Sequence, residues 1–191
     1  MARPAYKDGD MTAKELLVLT FWEMLERVPF EKISVRGIIA ASGVNKNTFY
    51  YHFQGMDDLA QYAIDSALPK ELAAQAKVGL SDGAPTFEIV GAVLNAAGSA
   101  SVGKKFQLME ILLSSNAVAL QDRCAHTLAN VWAAAAGLDD IDDSQKTILR
   151  FLAGGLLSAG RGKSAKDFPK TLETLAEAGL LRACINSIAS F

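Results

Sequence analysis

The sequence predicts an all-α fold, and three observations carry that prediction. Apolar residues recur at helical spacing along nearly the whole chain, and no segment shows a convincing apolar–polar alternation of the kind a half-buried strand needs. Five prolines and scattered glycines punctuate those periodic stretches, so the breaks between helices are legible. Half of the 191 residues are hydrophobic, which supplies a sizeable core without metal or disulfide staples.

Residues 1–11 are polar and read as a mobile arm carrying Arg3 and Lys7. Thr12 suits the N-cap of a first helix, because its hydroxyl can accept a backbone N–H that the first turn leaves unpaired. Leu16, Leu17, Leu19, Phe21, Met24, Leu25 and Val28 give that helix a broad apolar face, and Pro29 stops it. Ser34 is the next N-cap, for a short helix from Val35 to Ser42. Gly43 then supplies a turn residue that tolerates positive φ. Asn45 caps a third helix, Lys46 to Phe53. A fourth starts near Asp57 and Asp58, whose carboxylates suit a helix N-terminus, and runs toward Lys77 with a kink or break at Pro69.

Ser81–Pro85, reading SDGAP, is the clearest boundary. Four more helices are expected, near 86–100, 103–135, 143–162 and 169–190, about nine elements in total when the long second one breaks around Ser114–Asn116. Gly137 to Asp143 reads as an acidic loop and Gly160–Lys166 as another polar connection. The expected division is a flexible arm (1–11), a first helical domain with the start of a connecting helix (12–68), and a second helical domain (69–191).

Charge and cysteine usage exclude several classes. Lys plus Arg total 19 against 21 Asp plus Glu, so the formal net charge of −2 excludes a uniformly basic coat for nucleic acid or anionic lipid. A local basic face remains open. Cys124 and Cys184 are too few for a disulfide scaffold and sit in apolar stretches, as buried small hydrophobes do. MARPAYKDGDMTAK has no apolar core of a signal peptide, and no run of about 18 uncharged apolar residues is present. A cytoplasmic protein is the expectation.

The informative segment is Ile33–Leu59, ISVRGIIAASGVNKNTFYYHFQGMDDL. Two short helices flank a tight turn at Gly43, and Val35, Ile38, Ile39, Val44, Phe49 and Phe53 can pack them against the first helix. That is the anatomy of a helix-turn-helix, whose second helix enters the DNA major groove. Lys32, Arg36 and Lys46 lie between Lys32 and Phe53 with no acid among them, so positive charge gathers where phosphates lie.

These residues resemble the TetR (tetracycline-repressor) family of bacterial transcription regulators. The resemblance rests on V-R-x-I-x-x-x-S-G-V-x-x-x-x-F-Y-Y-H-F, followed by Leu59, and covers about residues 12–68. It implies that Ser34 and Arg36 contact phosphates, that Lys46, Asn47 and Thr48 face base edges, and that Tyr50, Tyr51 and His52 hold the DNA backbone. The chemistry agrees. Lys46 can donate to guanine O6 and N7, Asn47 can pair with adenine, and the Thr48 methyl can touch thymine. Contacts from the aromatic residues to phosphate position the helix without reading sequence. One departure stands out: the family usually has lysine at the start of the fourth helix, and this chain has Met56. A phosphate contact is lost there, and Arg3 and Lys7 of the arm are placed to compensate.

Other motifs carry less. Gly162-Lys163-Ser164 resembles the end of a phosphate-binding loop, but Leu157 stands where the first glycine belongs. Gly160 to Ala165 fits a loose G-x-G-x-x-A, yet a helix precedes it where a strand is required. Asp139, Asp140, Asp142 and Asp143 read as a solvated loop feeding a helix N-terminus. Cys124 and His126 are two apart on a helix and point in different directions. No catalytic constellation, metal site or cofactor motif is expected, and the chain reads as a non-enzyme.

The resemblance further implies that the last two long helices, here about 143–162 and 169–190, form a homodimer interface. Leu172, Leu175, Ala176, Gly179, Leu180 and Ala183 recur at helical spacing on the last. Phe87, Val90, Leu94, Met109, Leu112, Leu113, His126 and Trp132 are candidates to line a pocket between the remaining helices, and the low charge density there suits a mostly apolar small effector. The expected function is a homodimeric repressor released from a palindromic operator by such an effector. An activator, a regulator answering a partner protein, or a non-catalytic scaffold are the alternatives.

Overall fold

A computed structural model describes residues 11–68, 100–135, 141–163 and 167–179. Within them the chain is all-helical, with eight α-helices and no strand. In chain order these are α1 (Ala13–Arg27), α2 (Val35–Ser42), α3 (Lys46–His52), α4 (Met56–Ala67), α5 (Ala100–Ser114), α6 (Val118–Ala135), α7 (Asp143–Gly160) and α8 (Phe168–Glu177). A 3-10 turn, Phe30–Lys32, lies between α1 and α2. The chain divides into two compact units, residues 1–63 and 64–191. The expected helix near 86–100, the Ser81–Pro85 boundary, the Pro69 kink and Cys184 lie outside the described residues.

In the first unit each helix begins as its sequence dictates. Thr12 and Glu15 form a reciprocal capping box: the Glu15 N–H donates to Thr12 Oγ1 at 3.2 Å, and the Thr12 N–H donates to Glu15 Oε2 at 2.8 Å. Those hydrogen bonds from Thr12 hold the Glu15 carboxyl below its ordinary range. Leu17, Phe21, Trp22 and Leu25 are buried along one side of α1. Val28 adopts an extended conformation before Pro29, which ends the helix, and Phe30 of the next turn meets Phe21 edge-on at 6.3 Å. Helices α2 and α3 both pack on α1. Ile38, Phe49, Phe53 and Val44 are the buried side chains that bring them there. The sequence places the end of α3 at Phe53; the helix closes at His52, and Phe53 is an extended C-cap.

In the second unit, two helices meet through small residues at the centre of their contact. Ala129 and Ala133 of α6 face Leu149 and Ala153 of α7, and Ala125, Leu128, Trp132, Ile148 and Leu152 flank that contact. Alanines let the two helix backbones come close, so α6 and α7 pair along their length. Helix α7 is started by Asp142, whose carboxylate accepts from the Gln145 N–H at 2.8 Å while Gln145 returns a bond at 3.1 Å. It stops at Gly160 rather than at 162, and Gly162 has φ of +71°. Helix α8 stops at Glu177, with Gly179 at φ of +71°, where the sequence predicts one helix through 190. Glycine is the residue that enters the left-handed region without a Cβ penalty, and there it ends the helix that periodicity alone would continue.

The break inside the long 103–135 stretch falls at Ser115–Ala117. The carbonyls that α5 leaves unpaired there are collected by side chains. Ser115 Oγ donates to the Leu112 carbonyl at 2.7 Å, and the buried Gln121 amide donates to the carbonyls of Leu112 and Leu113, each at 3.3 Å. Arg161 donates to the Gln121 side-chain oxygen from the far end of α7. One amide thus ties three helices. Cys124 is buried on α6, and loss of water around its sulfur, with the negative charge of Asp65, pushes the thiol up to about 12.

Two consequences are measurable. Gly43→Ala should lower stability by about 1–2 kcal/mol in a denaturant titration, since Gly43 has φ of +68° and any Cβ is strained there. Cys124 should resist alkylation at pH 8 until the protein unfolds. Its folded pKa lies above the unfolded value, so its contribution to stability is complete below about pH 9 and falls as pH rises toward about 12. Wild type should therefore lose more stability than Cys124→Ala between pH 9 and 10.5.

Candidate nucleic-acid interface

Helix α3 has only seven residues, so its own hydrogen bonds cannot hold it in water. It is fixed from three sides. At its start the Asn45 side-chain oxygen accepts from the Thr48 N–H at 2.8 Å and from the Thr48 hydroxyl at 3.1 Å. Phe49 inserts from the middle and Phe53 from the end, both nearly solvent-free, with ring centroids 6.0 Å apart. The opposite side follows from that anchoring. With Phe49 and Phe53 inward, the i,i+4 pairs Lys46–Tyr50 and Asn47–Tyr51 project outward.

All four of those side chains are exposed, and Tyr51 reaches 84% exposure, a position in which its ring gains nothing from burial in this chain. The Lys46 ammonium lies 5.9 Å from the centre of the Tyr50 ring, within cation–π range. Tyr51 and His52 meet edge-on at 4.9 Å, with His52 half-buried. Thr48 is also half-buried, its hydroxyl engaged by Asn45. Ser34 caps α2 by accepting from the Gly37 N–H at 3.1 Å, which leaves the hydroxyl proton free to donate elsewhere. Arg36 is exposed two residues on, and Lys32 is exposed as well. Thus Ser34, Arg36, Lys46, Asn47, Thr48, Tyr50, Tyr51 and His52 all occur on α2, α3 and their caps within one compact unit.

At the start of α4 the charge differs. Met56 is half-exposed, Asp57 and Asp58 occupy the first turn, and Asp58 accepts from the Gln54 N–H at 2.9 Å. Asp58 pairs the chain just before the helix start, and the first turn carries acidic side chains and Met56 but no basic one. Two features of this unit have no signature in the sequence. The Lys14 ammonium sits 3.6 Å from the centre of the Tyr62 ring, and the buried indole N–H of Trp22 has no acceptor among the described residues. Both depend on contacts between helices distant in sequence.

The residues named for an effector pocket are less concentrated. Met109, Leu112 and Leu113 are buried on α5, Trp132 packs beside the α6–α7 alanine contact, and His126 is exposed on α6. Phe87, Val90 and Leu94 lie outside the described residues, as do Arg3 and Lys7. Among the described residues no group of three or more His, Cys, Asp or Glu could hold a metal ion, and no helix is long and apolar enough to cross a membrane.

Residues 22–63 match the family model of bacterial regulatory proteins of the tetR family. That range takes in the last six residues of α1, all of α2 and α3, and the first part of α4. A similar solved structure is the TetR family repressor AlkX from Dietzia sp. strain DQ12-45-1b, implicated in biodegradation of n-alkanes. It is 14% identical, with 89% of this chain and 96% of that chain covered, at a TM-score of 0.39. No curated protein matches the sequence.

The cap of α3 yields a prediction. Asn45→Ala should cost about 1 kcal/mol of stability and loosen the helix start. Asn45→Asp should retain the cap and most of the stability. Thermal unfolding of the two variants distinguishes the cap from a mere surface asparagine.

Proposed function

We propose that this chain, which belongs to the tetR family of bacterial regulatory proteins through its N-terminal domain, is a homodimeric repressor released from a palindromic operator by a small, mostly apolar effector. DNA-binding transcriptional regulation is what membership of the family implies. The observation that carries the residue-level reading is the two-sidedness of α3: Phe49 and Phe53 are nearly solvent-free, while Lys46, Asn47, Tyr50 and Tyr51 are exposed.

In this reading the outward side of α3 enters the major groove. Lys46 and Asn47 read base edges, with the Thr48 methyl beside them, because a cation and a carboxamide match the acceptors of guanine and adenine. Ser34 and Arg36 at the start of α2, and Tyr50, Tyr51 and His52 along α3, hold phosphates and set the register. The arm with Arg3 and Lys7 supplies positive charge that the start of α4 lacks.

Dimerisation is supported by an uncovered strip on α7. Phe151 is 73% exposed, and Gly154 and Gly155 follow on the same side, where an added Cβ meets nothing within 4 Å. A large exposed aromatic beside two glycines suits close packing against another helix. Two-fold symmetry then places two copies of α3 about 34–36 Å apart, so the operator is roughly palindromic. The effector would act by favouring a dimer in which that spacing no longer fits. Met109, Leu112, Leu113 and Trp132, with Phe87, Val90, Leu94 and His126, are the proposed sensor residues. Such a protein works in the cytoplasm, beside the chromosome.

Selection of sites from random duplexes with purified protein tests the DNA reading. A palindromic motif should be enriched by wild type and lost with Arg36→Ala plus Lys46→Ala. Lys46→Ala alone should relax preference at one or two positions per half-site, by about 1–3 kcal/mol. Tyr50→Phe should instead weaken all sites alike, and a motif unchanged by Lys46→Ala would remove it from base reading. Separately, Phe151→Lys should shift the sedimentation mass toward the monomer and lower operator affinity steeply. A dimer of unchanged stability would place the interface elsewhere.

A further inference from the structure

We infer that Lys14 is a positioning residue for the recognition helix, acting as a cationic clamp on a ring pair formed by Phe53 and Tyr62. Its ammonium lies 3.6 Å from the centre of the Tyr62 ring and 5.6 Å from that of Phe53, and the two rings are 5.6 Å apart. Three elements meet in that cluster. Lys14 is in the first turn of α1, Phe53 is the C-cap of α3, and Tyr62 is on α4. All belong to the first unit.

The need for such a clamp lies in how α3 is held. Its start has the Asn45 cap, but its last residue passes directly into an extended Phe53. The backbone bond at that end, Phe53 N–H to the Phe49 carbonyl at 2.9 Å, is as firm as the seat of the Phe53 ring. Outward from Phe53 the rings continue: His52 at 6.3 Å, then Tyr51 a further 4.9 Å on. A cation stacked on Tyr62 and beside Phe53 therefore fixes the ring that sets the direction of His52 and Tyr51. Lys14 is half-buried and Tyr62 is 39% exposed, so the ammonium is partly desolvated, the condition under which ring attraction exceeds that of a fully wet pair. The stack holds Lys14 inside the first unit; the alternative use of its charge is a direct phosphate contact, as a surface lysine beside a recognition helix would make.

The clamp stands on geometry alone, and its effect on binding rests on the DNA reading above, so the experiment has one arm for each. In the full chain without DNA, the ε-methylene protons of Lys14 should show upfield ring-current shifts. Those shifts should persist in Tyr62→Phe, which keeps the ring, and collapse in Tyr62→Leu. Normal shifts in wild type would overturn the clamp whatever the protein binds. Hydrogen exchange of the α3 amides should quicken in Lys14→Met and Tyr62→Leu alike, with cooperative thermal unfolding retained; unchanged exchange would also overturn it.

The second arm measures affinity for the selected duplex against salt. Lys14→Met and Tyr62→Leu should each weaken binding by roughly 3- to 10-fold, the double variant should be no weaker than either, and the log–log salt slope should be unchanged. Lys14→Arg should restore affinity, because a guanidinium also stacks on an aromatic face. A slope lowered by about one in Lys14→Met, with Tyr62→Leu at wild-type affinity, would make Lys14 a phosphate ligand and overturn the inference. If wild type binds no duplex, the proposed function fails, and the ring-current and exchange measurements still decide the clamp.

Discussion

A recognition helix of seven residues is shorter than any helix that persists in water by itself, and the first unit is arranged around that constraint. Burying Phe49 and Phe53 against α1 supplies the energy that the helix lacks. Because both rings share one side, the anchoring also determines which side chains face out. Lys46, Asn47, Tyr50 and Tyr51 are presented because the phenylalanines are hidden. The same two residues thus serve stability and display, and a substitution that frees either ring disturbs both. Asn45 and Gly43 contribute the local part: one pairs the helix start, the other allows the tight reversal from α2.

Charge is placed with similar economy. A chain of net charge −2 carries Lys32, Arg36 and Lys46 on or beside the helix-turn-helix, with no acid between Lys32 and Phe53. The next carboxylates, Asp57 and Asp58, are at the start of α4, where unpaired backbone N–H groups and the helix dipole stabilise them. Between Lys32 and Phe53 the charged side chains are thus all basic.

The first unit was legible in the sequence almost residue by residue, because its punctuation is local. Thr12, Ser34 and Asn45 each cap a helix through their own side chains, and Gly43 takes the left-handed conformation that its position demands. Signals of this kind act over three or four residues, within reach of pattern reading. The second unit was legible only in outline. Its breaks depend on partners far along the chain: Gln121 reaches back to the carbonyls of Leu112 and Leu113 and is met by Arg161, forty residues on. Gly179 ended α8 earlier than periodicity indicated, since apolar spacing continues beyond it in the sequence while the helix does not. Lys14 illustrates the same limit in the first unit. Nothing in a lysine two residues beyond a cap announces a ring on α4.

The two units differ in the kind of contact that packs them. Recognition chemistry needs a rigid display, and the first unit has aromatic rings wedged against each other: Phe21 with Trp22 and Phe30, Phe49 with Phe53, Phe53 with Tyr62. Large flat rings in edge contact have few alternative arrangements. The centre of the α6–α7 contact is alanines and Leu149 instead, with Leu128, Trp132, Ile148 and Leu152 packed around it. Helices that meet through methyl groups have shallow ridges, so a small sliding or rotation forfeits little packing. Gln121 is what opposes such sliding, because its amide holds α5 while its oxygen is held from the end of α7. Movement of α6 against α7 must either carry that amide along or take its hydrogen bond from the Leu113 carbonyl, while Leu112 keeps the bonds from Ser115. The α6–α7 contact thus combines small side chains at its centre with one polar node that ties it to α5.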